Sequence, residues 1–336
     1  MNADRVIQLA HGGGGRLTRE LIEDEIMPRF GAGPLHGLPD GANLPSPGER
    51  LIFTTDSFVV RPLEFPGGNI GDLAVYGTVN DLAVCGGEPK WLSLAMIIEE
   101  GLPLAVLGRV LDAVRSAAAA CGVVVATGDT KVVPRGQCDG LYLNTAGIAR
   151  ALPEFKPDPG AVREGDAVLV SGSLADHGMA VMAAREEIGF VNCPLSDTGP
   201  VHRLVMSIRE FGASVRFMRD PTRGGAAATL NEIVEGRDCG ILLEECALPL
   251  EPATRAAAEM LGIDPLHVAS EGRVILICAP DSAKGILEIW HGLPEGAGAV
   301  CIGCVTEDKG RVIIKTLVGG RRLVDVPRGE LLPRIC

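Results

Sequence analysis

The chain has 336 residues, 46% hydrophobic and 22% charged, the balance of a soluble globular protein long enough for two domains with separate cores. A net charge of −12 repels phosphate backbones and anionic membranes, and 4% aromatic content is too little for a base-stacking surface. No basic-then-apolar leader opens the chain, and no apolar run reaches the roughly 18 residues of a membrane span. Neither nucleic acid nor membrane is therefore expected as a partner, and the expected location is cytoplasmic.

Residues 1–45 form a glycine- and proline-rich segment, with His11 followed by Gly12 to Gly15 and a short helical pattern near 17–27. A first domain is expected over 46–155. Strand signals lie at Leu51–Asp56, Trp91–Ile98, Val123–Thr127 and 139–149, and helical patterns at about 69–85 and 103–121. Between Ala151 and Gly165 three prolines and two glycines separate apolar stretches, which marks the domain boundary. A second domain is expected over 156–318, with strands at Ala167–Ser171, 272–280 and 311–317 and helices at 178–187, 200–212 and 224–235. This mixed order reads as α+β, not as a doubly wound sheet. Residues 319–336 lack periodicity and are expected to be a flexible tail ending in Cys336.

The 10 cysteines are irregularly spaced and read as reduced thiols. The one close pair, Cys301 and Cys304, sits in an apolar stretch that reads as a buried strand, since a zinc site needs four ligands.

Three aspartates fall where strands or helices are expected to end. Asp56 closes Thr54-Thr55-Asp56, Asp81 lies on an apolar helix, and Asp129 follows an apolar strand. Taken singly, each reads as a turn or cap former. Together in one domain, with Gly77 baring the helix one turn before Asp81 and Lys131 two residues after Asp129, they point to metal-held phosphates. No P-loop or kinase signature occurs. Gly12 to Gly15 can wrap phosphates through backbone N–H groups, though a plain loop has the same composition. Arg219 to Gly225 (RDPTRGG) precedes a helix carrying Asn231 and Glu232 and suits anion binding. Glu271 precedes a strand as either a positioned base or a turn carboxylate. Of the six histidines only His177, between Asp176 and Gly178, stands out.

At Thr54–Ser57, Phe65–Leu73, Gly77–Leu82, Ala126–Val133, Arg219–Gly225, Leu230–Glu232 and the closing Pro-Arg-Ile-Cys, the chain resembles the hydrogenase expression/formation (HypE) family. That family lies within the aminoimidazole ribonucleotide synthetase and selenophosphate synthetase superfamily. The resemblance implies a two-domain α+β fold and a homodimer built through strands of the N-terminal domain. It implies ATP with Mg2+ near that interface, and dehydration of a carbamoyl group on Cys336 to a thiocyanate. The partners implied are the carbamoyltransferase HypF, which loads Cys336, and the HypC–HypD complex, which receives the cyanide. Carried onto this chain, the resemblance implies Asp56, Asp81 and Asp129 around the metal, and Asn80 and Thr130 with them around the nucleotide. It implies Lys131 on the phosphoryl group and Glu271 as the base. The chain departs from the family pattern at Ser270, where an asparagine is expected, and at Ala175, where a glycine is expected.

Two other readings bear on the same residues. Selenophosphate synthetase carries its reactive residue near the N-terminus, whereas the first cysteine here is Cys85. A non-catalytic carrier would present Cys336 without needing Asp81, Lys131 and Glu271 together.

Overall fold

The computed structural model describes residues 6–12, 16–30, 44–46, 48, 50–185, 192–326 and 335–336. Gly13 to Gly15, and with them most of the glycine cluster, lie outside these residues. In the first half the strands are β1 (Leu51–Phe58), β2 (Glu64–Phe65), β3 (Gly68–Asn69), β4 (Gly87–Glu99), β5 (Val124–Val133) and β6 (Leu141–Ala151). The helices are α1 (Arg16–Leu21), α2 (Met27–Phe30), α3 (Ile70–Val84) and α4 (Leu104–Cys121).

β1, β6, β4 and β5 form one sheet in that order; β6 pairs antiparallel with β1 and β4, while β4 and β5 run parallel. α3 and α4 cover one face. α3 starts at a capping box, in which the Asn69 side chain accepts from Gly71 N at 2.7 Å and Asp72 accepts from Asn69 N at 3.1 Å. It is apolar all round because the sheet, α4 and the second domain enclose it. α4 buries Leu104, Leu107, Val110, Leu111, Val114, Ala117 and Ala118, a helical stripe, and ends at left-handed Gly122.

The second half supplies β7 (Ala167–Val170), β8 (Val215–Arg219), β9 (Gly240–Glu244), β10 (Ile275–Cys278), β11 (Val300–Thr306), β12 (Val312–Lys315) and β13 (Arg321–Leu323). Its helices are α5 (Asp176–Arg185), α6 (His202–Ser207), α7 (Gly225–Val234), α8 (Pro252–Leu261) and α9 (Pro280–His291). The sheet order is β13-β12-β9-β11-β7-β10-β8, antiparallel except where β12 meets β9. β7 and β10 are buried at every residue, which is why they read as unbroken apolar runs. The α+β expectation holds. Among the described residues no helix is long and apolar enough to cross a membrane.

The differences from the expected elements have local causes. β5 continues to Val133, so Asp129 and Lys131 lie inside a strand, not after one. Its polar second half is held by pairing with β4, which periodicity within β5 does not reveal. The helix expected over 200–212 breaks after Ser207, and Gly212 adopts a non-helical φ. Cys301 and Cys304 do lie in a strand, β11, but both are exposed; Ile302 and Val305 are its buried residues. In the expected tail, Arg321–Leu323 pair with β12, and Ile335 is 5% exposed against a core that both halves share.

Candidate active site

Strand alternation decides which side chains of the first sheet can meet. On β1 the even positions face α3. Phe58 is buried there, and Thr54 donates to Asp81 of α3 at 3.0 Å. Asp56 shares that face and accepts from Ser57 N at 2.7 Å. The bare helix face at Gly77 lines the cleft beside Phe58: a Cβ there would lie 2.9 Å from the Phe58 ring and 3.8 Å from Asp56 Oδ2. Any side chain at 77 would displace the ring that walls the carboxylate pair.

The second domain closes over this face. The end of β8 brings Arg219, the turn after it Asp220 and Arg223, and the loop before β10 Glu271. A cavity of about 360 Å³ lies between the two domains, walled by Asp56, Asp81, Asp220, Arg223, Glu271 and Cys336 among others. The Cys336 thiol lies 3.8 Å from the Arg223 guanidinium.

Burial and like charge govern this cavity. Burial raises the carboxyls of Asp56 and Asp81, and Asp56 adds repulsion to Asp81. Burial and then Asp81 push Asp220 up to about 7. Glu271 is raised well above the usual carboxylate range, by burial first and by Asp220 next, and its Oε1 has no hydrogen-bond partner. Burial, then the charge of Glu271, push the Cys336 thiol up to about 12 against the pull of Arg223. Carboxyls crowded in this way are neutralised by protons or by a bound cation. Asp56 and Asp81 are hard oxygen donors, the type of which Mg2+ takes one or two from protein when phosphates supply others.

The structure therefore brings together Asp56, Asp81, Glu271 and Cys336. It does not bring Asn80 into the cavity. Asn80 is fully buried, donates to Gly199 O at 3.0 Å and Glu271 O at 3.1 Å, and accepts from Val201 N at 2.8 Å. Its amide staples α3 to the loop that carries Glu271. Nor do Asp129, Thr130 and Lys131 reach this cavity. Asp129 and Lys131 pair with Ala95 and Ile97 on the face of the sheet away from α3, and their ion pair spans 3.7 Å. Thr130 lines a separate cleft against Ile22, Ile26 and Phe30. Among the described residues no three or more His, Cys, Asp or Glu side chains are gathered as a metal cage, so Asp129 does not join Asp56 and Asp81 within one chain.

Sequence reading missed Asp220 and Arg223 as individuals, although their RDPTRGG turn was marked. It missed Asp197 altogether. This carboxylate accepts from the backbone N–H of His177 at 3.0 Å and of Glu271 at 3.2 Å through Oδ1, and from Gly272 N at 3.3 Å through Oδ2. Gly272 is required here, because a Cβ would sit 1.9 Å from Asp197 O. The two departures from the family pattern touch each other: Ala175 N donates to Ser270 Oγ at 2.8 Å, and Ala175 has φ 72°.

This fold and site define an AIR synthase related protein. Residues 39–151 match the N-terminal domain of that family and residues 163–315 its C-terminal domain. The chain is 47% identical over 332 residues to carbamoyl dehydratase HypE of Rhizobium leguminosarum bv. viciae, covering 98% of this chain and 95% of that one. The crystal structure of hydrogenase maturation protein HypE in complex with ATP superposes with a TM-score of 0.93 at 40% identity, over 98% of this chain and 99% of that one. A HypE–HypF complex superposes at 0.81, also with 40% identity, over 93% and 100%. The chain belongs to the carbamoyl dehydratase HypE family, enzymes of hydrogenase maturation.

Proposed function

We propose that this chain uses ATP to dehydrate an S-carbamoyl group on Cys336 to a thiocyanate, supplying cyanide for the iron of [NiFe]-hydrogenase. The observation that carries the reading is the seating of the Cys336 thiol in a cavity where Glu271 presents an unpartnered buried carboxyl oxygen. The similarity to a HypE bound to ATP supports the nucleotide, and the similarity to a HypE–HypF complex supports HypF as the partner that loads Cys336. Transfer of the cyanide to HypC–HypD rests on the family resemblance.

An amide oxygen is a poor leaving group, so it must first become a phosphate ester. The carbamoyl oxygen attacks the γ-phosphorus, ADP departs, and one N–H proton passes to Glu271. The resulting S–C(=NH)–O–phosphate then passes its remaining N–H proton to the departing phosphate oxygen, the C–O bond breaks, and hydrogen phosphate leaves behind S–C≡N. Buried Glu271 is a strong acceptor once ionised. Arg223, within reach of the sulfur, faces the charge that develops on the neighbouring oxygen. Mg2+ held by Asp56 and Asp81 would neutralise the phosphates.

Asp129, Thr130 and Lys131 would serve a nucleotide through a homodimer. In support, Phe53, Ile148, Trp91 and Val124 form a registered apolar row across the open face of the first sheet, and Phe53 is 68% exposed. A second chain covering that row brings its own β5 close to the first.

The test is the mass of the Cys336 peptide after loading by HypF, with and without ATP. Loss of one water only with ATP is expected. A carbamoyl mass that ATP leaves unchanged overturns the dehydratase reading in favour of a carrier. Absence of any adduct removes Cys336 from the chemistry.

A further inference from the structure

The dipeptide Ile335–Cys336 is gripped from both domains. The Ile335 side chain enters the core that includes Phe58, Phe65, Met179 and Val181, and Val59 N donates to Cys336 O at 3.4 Å. From the second domain, the imidazole of His177 meets the carbonyl of Ile335 through Nε2.

His177 has 0% exposure, and its ring stands edge-on to Phe65 with centroids 5.2 Å apart. The state of the ring follows from its neighbours. Thr198 N donates to Ser196 Oγ at 3.0 Å, and Ser196 Oγ lies 2.8 Å from Nδ1, with Thr198 Oγ1 at 3.2 Å. A carbonyl oxygen only accepts, so Nε2 carries the proton and Nδ1 accepts from a hydroxyl. Burial favours this neutral form. The backbone N–H of His177 is held by the same Asp197 oxygen that holds the N–H of Glu271. One carboxylate therefore fixes both the imidazole that meets the terminal dipeptide and the base that faces its thiol.

We propose that His177 is a positioning residue of the reaction: its Nε2–H holds the Ile335 carbonyl and so sets where the sulfur of Cys336 sits between Glu271 and Arg223. The inference deepens the reading of Cys336 as the reacting residue and rests on it for catalysis, but the seat itself is separately measurable.

The experiment is a timed iodoacetamide pulse on the full-length chain without ATP, followed by mass analysis of the Cys336 peptide. His177→Ala removes the donor, and Cys336 is expected to alkylate ~10-fold faster, the size of one buried hydrogen bond. His177→Gln places an amide N–H at nearly the same reach and is expected to restore protection. Ser196→Ala with Thr198→Val frees the tautomer while leaving the imidazole, and is expected to fall between the two. In carbamoyl-loaded protein the dehydration rate should follow the same order, with ATP affinity unchanged in all variants. Wild-type protection in His177→Ala overturns the proposal. So does equal loss in the Ala and Gln variants when their thermal midpoints match wild type. If alkylation follows the predicted order while no variant, nor the wild type, loses water with ATP, the seat stands and the dehydratase reading fails.

Discussion

The chain carries two sets of acidic residues, and they differ in what surrounds them. On β5, Asp129 keeps 61% of its side-chain surface and pairs with an equally open Lys131. Exposed pairs of this kind contribute about 0–1 kcal/mol and are screened by salt. In the cleft, Asp56, Asp81, Asp220 and Glu271 lie under protein; burial raises all four, and neighbouring carboxyls raise Asp81, Asp220 and Glu271 further. Similar side chains thus have different uses. The β5 set is open to solvent, while the cleft set is held in the buried, like-charged surroundings that shift carboxyl proton affinity.

Glu271→Gln should have the largest effect, cutting ATP-dependent dehydration ~10³-fold with loading by HypF intact, read as carbamoyl mass that persists on Cys336. Near-normal turnover would remove the cleft set from the chemistry. Lys131→Ala is expected to cost ~10²-fold if β5 serves the phosphoryl group. Mixing these two inactive variants sharpens the contrast. If the β5 of one chain completes the cleft of another, re-paired chains regain about a quarter of the wild-type rate, by the statistics of a two-fold pair. A mixture that stays inactive would confine each site to a single chain.

The third prediction concerns acid–base behaviour. Burial, then the charge of Asp81, push Asp220 from an ordinary carboxyl value of 3.8 up to about 7 in the fold, so the folded chain holds an extra proton between those values. Raising the pH through this window withdraws that proton, and the stability it contributes is lost as pH passes the folded value. Asp220→Asn should flatten this fall. Thermal midpoints from about pH 4 to about pH 8 test it, and an unchanged slope would mean that Asp220 is not the proton's site.

How far these contrasts were legible in the sequence depends on the range of the interactions. α3 and α4 were readable because capping and apolar spacing are local. Asp56 and Asp81 were marked because their motifs place carboxylates beside apolar elements. The face chosen by Asp129 was not readable, since only the register of β5 on β4 decides it. Asp197 sits in a stretch of Ser, Asp, Thr and Gly that looks like any turn, and its three backbone partners lie 20, 74 and 75 residues away. The seat of Cys336 is likewise a long-range contact that the composition of the tail does not encode.

The smallest effect is expected at Ala175, whose left-handed backbone is costly for a residue with a Cβ. Ala175→Gly should raise stability by about 1 kcal/mol in denaturant unfolding, with activity unchanged. A loss of stability would show that the bond from Ala175 N to Ser270 needs the Cβ for its alignment.

The Asn80 staple has a mechanical consequence. Glu271 belongs to one domain but is gauged against a helix of the other, through contacts of 2.8–3.1 Å. Parting the domains by even an ångström breaks that gauge and carries Glu271 away from the sulfur. The Glu271 carboxyl therefore faces the Cys336 sulfur only while the domains stay clasped.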